Sequence, residues 1–276
     1  MTASSQTASL AKSRWRANVK EALDLARTLP QAGVARMLSQ TTRSTRFAGA
    51  YSCRDAAAAA LARFPTNGYD DENIVDISLE VMRRRAIWDY PVLLWLDRLL
   101  PDWPTVLDAG GHLGTKYSAF SDVLDLGAAS WTVYDLPGIV RAARRRQDEG
   151  KIPAGIIFED RLEHTPPCDI LLASGLLQYL DMSLSDLVAR LQQRPQFILI
   201  NKVALRSGCE LHTMERIGRA RVLYRIRERQ LWEAEIKALG YEILDTWEIA
   251  ALGHVISTHP WLGRSESRGY LLKRLG

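Results

Sequence analysis

The sequence predicts an α/β protein: a seven-stranded, mostly parallel sheet closed by an antiparallel strand and preceded by an N-terminal helical extension. Three observations predict it. Short apolar runs with little alternation recur along the chain, as a sheet covered on both faces requires. Amphipathic helical stretches lie between them, which argues for right-handed parallel crossovers. One of the runs ends in an acid and opens onto a glycine-rich loop, the local geometry in which Rossmann-like sheets hold nucleotides.

Residues 1–100 read as the helical extension or lid, and residues 101–276 as the sheet domain. Around Trp15, Val19, Leu23 and Ala26, the residues Arg14, Arg16, Lys20 and Arg27 make a basic amphipathic helix. Such a helix can make peripheral contact with an anionic membrane or an acidic substrate, but the pattern favours the solvated face of a helix packed on the sheet domain. Asp55 to Phe64 carries an unbroken alanine run, the strongest helix former. Asp71 to Arg85 has Ile74, Ile77 and Val81 at helical spacing, with acids in its first turn. Pro91 opens a third helix, which stops at Pro101. Arg84, Arg85, Trp88 and Tyr90 fall at the turn between two of these helices, where an Arg or Tyr can meet a ligand carboxylate.

The expected strands follow in order. The first is the run ending in Val106-Leu107-Asp108, the second Ser130 to Asp135, the third Ile156 to Asp160 and the fourth Cys168 to Ser174. The fifth is Gln196 to Val203, the sixth Tyr241 to Ile249, and Gly269 to Leu275 returns antiparallel as the seventh. Helices are expected from Thr115, over Gly138 to Arg146 and Ser183 to Leu191, and over Glu228 to Leu239 with Gly240 as its cap. Tyr224 and Arg225 fall in the helical region before strand six.

The glycine loop reads Asp108-Ala109-Gly110-Gly111-His112-Leu113-Gly114. A dinucleotide fingerprint would place glycines at 109, 111 and 114, but position 109 is Ala and the strand ends in an acid. Asp108 can accept a hydrogen bond from an amino group, while Gly110 and Gly111 let a ligand approach the backbone. A ligand with an amino-acid end and no pyrophosphate fits: S-adenosylmethionine (SAM). Asp135 lies about two dozen residues past the glycines, where an acid can take both ribose hydroxyls. It also precedes Leu136-Pro137, where an acid can serve as a helix cap, but strand end, acid and spacing together favour the ribose. Asp160, followed by Arg161, ends strand three, where an acid can accept from the adenine amino group.

From about Thr105 onward the chain resembles the class I SAM-dependent methyltransferases, and Tyr134-Asp135-Leu136-Pro137 is similar to the matching step of small-molecule O-methyltransferases. A closer resemblance covers nearly everything after residue 47. It rests on Gly49-Ala50-Tyr51-Ser52, Asn67-Gly68-Tyr69-Asp70, Leu107 to Gly111 with Leu113-Gly114 and Tyr117, and Leu177-Gln178-Tyr179-Leu180. These look like a family of bacterial methyltransferases found among polysaccharide and cell-envelope biosynthesis genes. The resemblance implies the fold, SAM as cofactor, and binding positions at Asp108, Gly110, Gly111, Gly114, Tyr117, Asp135, Leu136, Asp160, Arg161, Ser174, Gln178 and Tyr90. It implies a small-molecule or glycan-type acceptor methylated at oxygen. One departure is that strand five ends in Asn201 where the class would carry an acid.

Composition agrees with an ordinary globular enzyme: 47% hydrophobic and 25% charged, with no apolar run long enough to span a bilayer. Three separated cysteines, without metal-ligand spacing, read as reduced thiols of a cytoplasmic protein. The net charge of +4 is scattered and not interleaved with aromatics, which argues against nucleic-acid binding. No His/Asp/Glu cluster has ligand spacing, so no metal is expected. The acceptor crevice should lie in the loops after strands four to six. Histidine is the best generic base near neutral pH, and His254 is the first candidate, His212 the second. Two other readings compete: an NAD(P)-dependent oxidoreductase, disfavoured by Asp108 and Ala109, and a non-catalytic Rossmann-like scaffold, disfavoured by the intact loop and its acids.

Overall fold

The computed structural model describes residues 29–39, 45–64, 84–218 and 220–276. The expected basic helix around Trp15, the Asn67–Asp70 segment and most of the Asp71–Arg85 helix lie outside the described residues.

The seven expected strands are present: β2 (Thr105–Ala109), β3 (Ser130–Tyr134), β4 (Ile156–Glu159), β5 (Ile170–Ser174), β6 (Phe197–Arg206), β9 (Tyr241–Glu248) and β10 (Glu266–Arg274). They pair in the order β4-β3-β2-β5-β6-β10-β9, all parallel except β10. Alternate residues enter opposite cores. On β5, Ile170 and Leu172 join one cluster with Leu199 and Phe120, while Leu171 and Ala173 join another with Ile198 and Trp232. This two-sided burial is why these strands read as unbroken apolar runs. Helices α3 (Tyr90–Leu99), α4 (Thr115–Phe120) and α5 (Pro137–Asp148) cover the first face. Helices α6 (Leu184–Ala189) and α7 (Arg229–Ala238) cover the second. Ser183 caps α6 by accepting from Asp186 N–H, and Glu228 caps α7 by accepting from Leu231 N–H.

The structure corrects the sequence reading in one region. Tyr224 and Arg225 are not helical: they lie on β8 (Ala220–Glu228), which pairs antiparallel with β7 (Leu211–Ile217). β7 pairs in turn with β1 (Phe47–Tyr51), so the N-terminal region contributes a strand as well as helices α1 (29–39) and α2 (Arg54–Leu61). The burial of β8 alternates, with Ala220, Val222, Tyr224 and Ile226 inward and Arg221, Leu223 and Arg225 less covered. That period of two is a strand signal. β6 joins the two sheets, because its last residues, Leu205 and Arg206, pair with Arg227 and Glu228 of β8.

Between Ile200 and Val203, β6 bulges. Two of its residues, Asn201 and Lys202, face one residue of β10, Gly269. Opposite Gly269 on the next strand is Trp247, whose ring occupies the space a Cβ at position 269 would need. The indole N–H of Trp247 donates to Asn201 Oδ1 at 3.1 Å. Gly269→Ala is therefore expected to destabilise the protein by about 1–3 kcal/mol, the usual cost of overpacking a filled site. Chemical denaturation measures this, and an unchanged midpoint would show that Trp247 has room to move.

Candidate functional site

The chain turns between β2 and α4 through a loop whose backbone is set by glycine. Gly110 and Gly114 have φ of 74° and 70°, in the left-handed region where a Cβ is costly. Gly111 is required for a different reason: a Cβ there would lie 2.5 Å from Asp108 Oδ2. The loop is tied to the next strand by Asp135, just past the end of β3. One carboxylate oxygen of Asp135 accepts from His112 N–H and the other from Leu136 N–H, both at 2.8 Å. Asp135 thus ties the glycine loop to the end of β3, while the helix after it has Leu136 at its N-cap position and no side-chain cap, so Asp135 is not its cap.

Beyond the carboxyl ends of the strands lies a cavity of about 690 Å³, within the range of small-molecule sites. It opens where the strand order reverses, between β2 and β5, as the topology of parallel sheets requires. One half is lined by Gly110, His112, Asp135, Leu136, Ile139 and Ser174. The other half is walled by Phe47, Leu61, Tyr179, Val222 and Tyr224, with Arg46, Arg54 and Arg221 among them. Trp88, Gly175 and Lys202 also line it.

The charges around the first half are unusual. Asp108 is 1% exposed and its Oδ2 has no hydrogen-bond partner. Burial pushes its carboxyl up to about 7, against the opposing pull of the Lys116 ammonium. Lys116 itself is bound to the buried Asp89 at 2.6 Å. In the second half, Glu215 is 1% exposed and accepts from Arg46 at 2.6 Å and from the Tyr179 hydroxyl at 2.7 Å. Arg54 pairs with Asp181. Phe47, Tyr179 and Tyr224 meet edge-on, with ring centroids 5.0 and 5.5 Å apart about Tyr224, a geometry that fixes the wall.

The sequence-predicted residues divide into three groups. Gly110, Asp135, Leu136, Ser174 and Gln178 line the cavity. Gln178 is buried, donates to Gly175 O at 3.0 Å and leaves its own Oε1 without a partner. Asp108, Gly111 and Gly114 frame the loop from below. Tyr117, Asp160, Arg161 and Tyr90 are not in the lining: Tyr117 packs edge-on against Trp131, and Tyr90 is 60% exposed. His212 lies on β7 rather than in a loop, and is outside the lining. His254 is one layer behind it, stacked on Phe47 at 3.6 Å and edge-on to Tyr224. Its Nδ1 shares a hydrogen bond with Ser265 Oγ, its Nε2 is buried without a partner, and burial pushes its pKa down to about 4. The antiparallel wall was not expected from sequence, although the alternation of residues 220–228 carries the signal.

No protein-family model matches the chain, and no curated protein matches its sequence. Among solved structures it is similar to human N-acetylserotonin methyltransferase in complex with SAM, at 16% identity and a TM-score of 0.48. That match covers 75% of this chain, which spans only 58% of the length of the human protein. It is also similar to the Burkholderia thailandensis 1,6-didemethyltoxoflavin N1-methyltransferase with bound 1,6-didemethyltoxoflavin and S-adenosylhomocysteine, at 17% identity and 0.43, covering 77% and 93% of the two chains. A third is CalS10 from Micromonospora echinaspora, an amino pentose methyltransferase, at 13% identity and 0.45, covering 77% and 100%. Likeness at this level adds nothing to the fold already described. That fold is a mostly parallel α/β sheet of Rossmann-like order with a crevice of about 690 Å³ at its switch point.

The raised pKa of Asp108 has a sign that can be measured. Between the unfolded carboxyl value, about 4, and about 7, the native state holds a proton that the unfolded state has lost, so stability falls as pH rises through this window. Asp108→Asn, which is neutral throughout, is expected to remove that fall and to raise Tm at pH 8, by about 2–4 °C for each kcal/mol gained. Thermal melts from pH 4 to 8 test it. A variant with the wild-type slope would show that Asp108 is ionised across the range.

Proposed function

We propose that the chain is a SAM-dependent methyltransferase that methylates an oxygen of a small-molecule or glycan-type acceptor in the cytoplasm, as members of the polysaccharide-associated family it resembles would. One observation carries the reading: the strand-end acid Asp135 is clasped to the glycine loop at the mouth of a cavity whose far half is an aromatic wall. The loop suits SAM rather than a dinucleotide. Ala109 stands in place of the first glycine, and the buried carboxyl of Asp108 lies beneath the loop that would otherwise take a pyrophosphate. It suits instead the cationic, amino-acid-bearing end of SAM.

When bound, SAM supplies an electrophilic methyl on a sulfonium, transferred by in-line displacement. The residues' part is chiefly to hold and exclude. Asp135 accepts from the ribose hydroxyls, and Leu136 and Ile139 offer apolar cover for the adenine. Phe47, Tyr179 and Tyr224, set edge-on to one another, present apolar ring surface to an acceptor, and that surface keeps water from the line of attack. Positioning of this kind supplies a large part of such a rate enhancement.

Titration calorimetry with SAM and with NADH tests the class. SAM is expected to bind and NADH not; the reverse would make the protein an oxidoreductase, and binding of neither would leave a scaffold. Asp135→Ala should weaken SAM by about ten- to a hundredfold for each charge-assisted bond lost. Wild-type affinity in that variant, with the fold intact by circular dichroism, would move the nucleoside elsewhere.

The histidine expected as base takes a different part in this reading. His254 backs the acceptor wall through Phe47 and Tyr224, and its lowered pKa makes it a weak base at neutral pH. His254→Ala is expected to raise KM for the acceptor while leaving SAM affinity unchanged. A fall in kcat of about 10²–10⁴-fold with KM constant is the signature of a lost general base, and that result would return His254 to the chemistry.

A further inference from the structure

The bulge in β6 places one residue in a conformation that needs a reason. Lys202 has φ of 65°, in the left-handed region that non-glycine residues seldom adopt. Such positions cluster at functional sites, where the surrounding structure enforces them. Three contacts enforce this one. Asn201, its neighbour, donates to Trp88 O at 3.1 Å and accepts from Trp247 at 3.1 Å. Gly175 N–H donates to Asn201 O at 2.8 Å, locking the end of β5 to the bulge. The Lys202 side chain then runs across Gly175, with Cε and Nζ 3.1 and 3.2 Å from where a Cβ at 175 would stand. Only a glycine leaves that path open.

The path leads into the cavity, which Lys202 lines together with Gly175. There the ammonium finds no counter-ion. Among the described residues no side chain pairs with it, since Asp89 is already taken by Lys116 at 2.6 Å. Asp108, Asp89 and Lys116 are the charged groups near enough to act on it. Burial, and then repulsion from Lys116, lowers its pKa to about 8. Asp108, below the glycine loop, is displaced in the opposite sense to about 7, also by burial. A half-buried cation in the lining and a buried acid beneath the glycine loop, neither with an ion-pair partner among the described residues, therefore lie near enough to act on each other. The one ligand class that relieves both is an α-amino-acid zwitterion.

We propose that Lys202 is the cation that receives the carboxylate of the amino-acid end of SAM, with Asp108 providing the negative field on the amino side. This rests on the methyltransferase reading of the same cavity. It differs from the sequence expectation, which placed a carboxylate-binding Arg or Tyr at residues 84–90. In the structure, Arg85 donates to Ala119 O at 2.8 Å and pairs with Asp122, and Tyr90 faces solvent.

Decarboxylated SAM, which keeps the sulfonium, the adenosine and the amino group but lacks the carboxylate, isolates the contact. By calorimetry, the wild-type protein is expected to prefer SAM over decarboxylated SAM by about ten- to a hundredfold, the value of one charge-assisted bond. In Lys202→Met the preference should collapse to about threefold or less, through loss of SAM affinity rather than gain for the analogue, as in a double-mutant cycle. Lys202→Gln, neutral but polar, gives the same reading should the Met variant fail to fold. A wild-type preference that survives in either folded variant, or a wild-type protein that does not discriminate, overturns the assignment to Lys202 while leaving the methyltransferase reading intact. A wild-type protein that binds neither compound overturns both.

Discussion

β6 is paired along both edges, with β5 and β10 over most of its length and with β8 at its end. Its first part belongs to a mostly parallel sheet buried on both faces, and its end pairs, in parallel, with β8 at the edge of the antiparallel β1-β7-β8 sheet. A strand can serve both only if it bends and twists between them, and a bulge is the local device that does so. The bulge at Asn201 and Lys202 depends on close approach across the sheet, Trp247 lying on Gly269 and reaching Asn201. The two halves of the cavity are consequently fixed to each other by one continuous strand. A methyl donor and its acceptor would be held in register by main-chain hydrogen bonds rather than by a flexible hinge.

The second constraint is electrostatic. Asp108, Lys202, Lys116 and Asp89 lie close enough to influence one another, yet only Lys116 and Asp89 are paired. Burying charges without partners is costly, and both unpaired groups respond by shifting towards their neutral forms. The ligand-free protein thus carries an electrostatic penalty at this end of the site. In the proposed function, ligand binding removes it, which makes the penalty a source of specificity for a zwitterion over an uncharged or purely anionic group.

The aromatic wall of the cavity is assembled from parts far apart in the chain: Phe47 from β1, Leu61 from α2, Tyr179 after β5, and Val222 and Tyr224 from β8. Glu215, fully buried, ties two of these parts together by accepting from both Arg46 and Tyr179. Fully paired, it is tolerated where a lone carboxylate would not be. His254 completes the support from behind, its ring stacked on Phe47.

What the sequence determined by itself was local. The parallel strands were legible because residues buried on both faces must all be apolar, and Ile170 to Ala173 or Phe197 to Ile200 can hardly be read otherwise. The glycine loop and Asp135 were legible because a tight turn and a strand-end acid are fixed by residue type and spacing. The alternation of β8 was present in the sequence, but only the tertiary structure could reveal β1 and β7. β7 buries His212, Thr213 and Glu215, so its apolar pattern is masked, and its partner Phe47 lies in a segment far away in sequence. The same holds for the site's charges. His254 looked like a loop base and is a packed ring, and Lys202 lines the cavity beside Gly175 with no ion-pair partner among the described residues. Which charge is left unpaired on burial is decided by long-range pairing and by one bulged strand, and neither has a local signature in the chain.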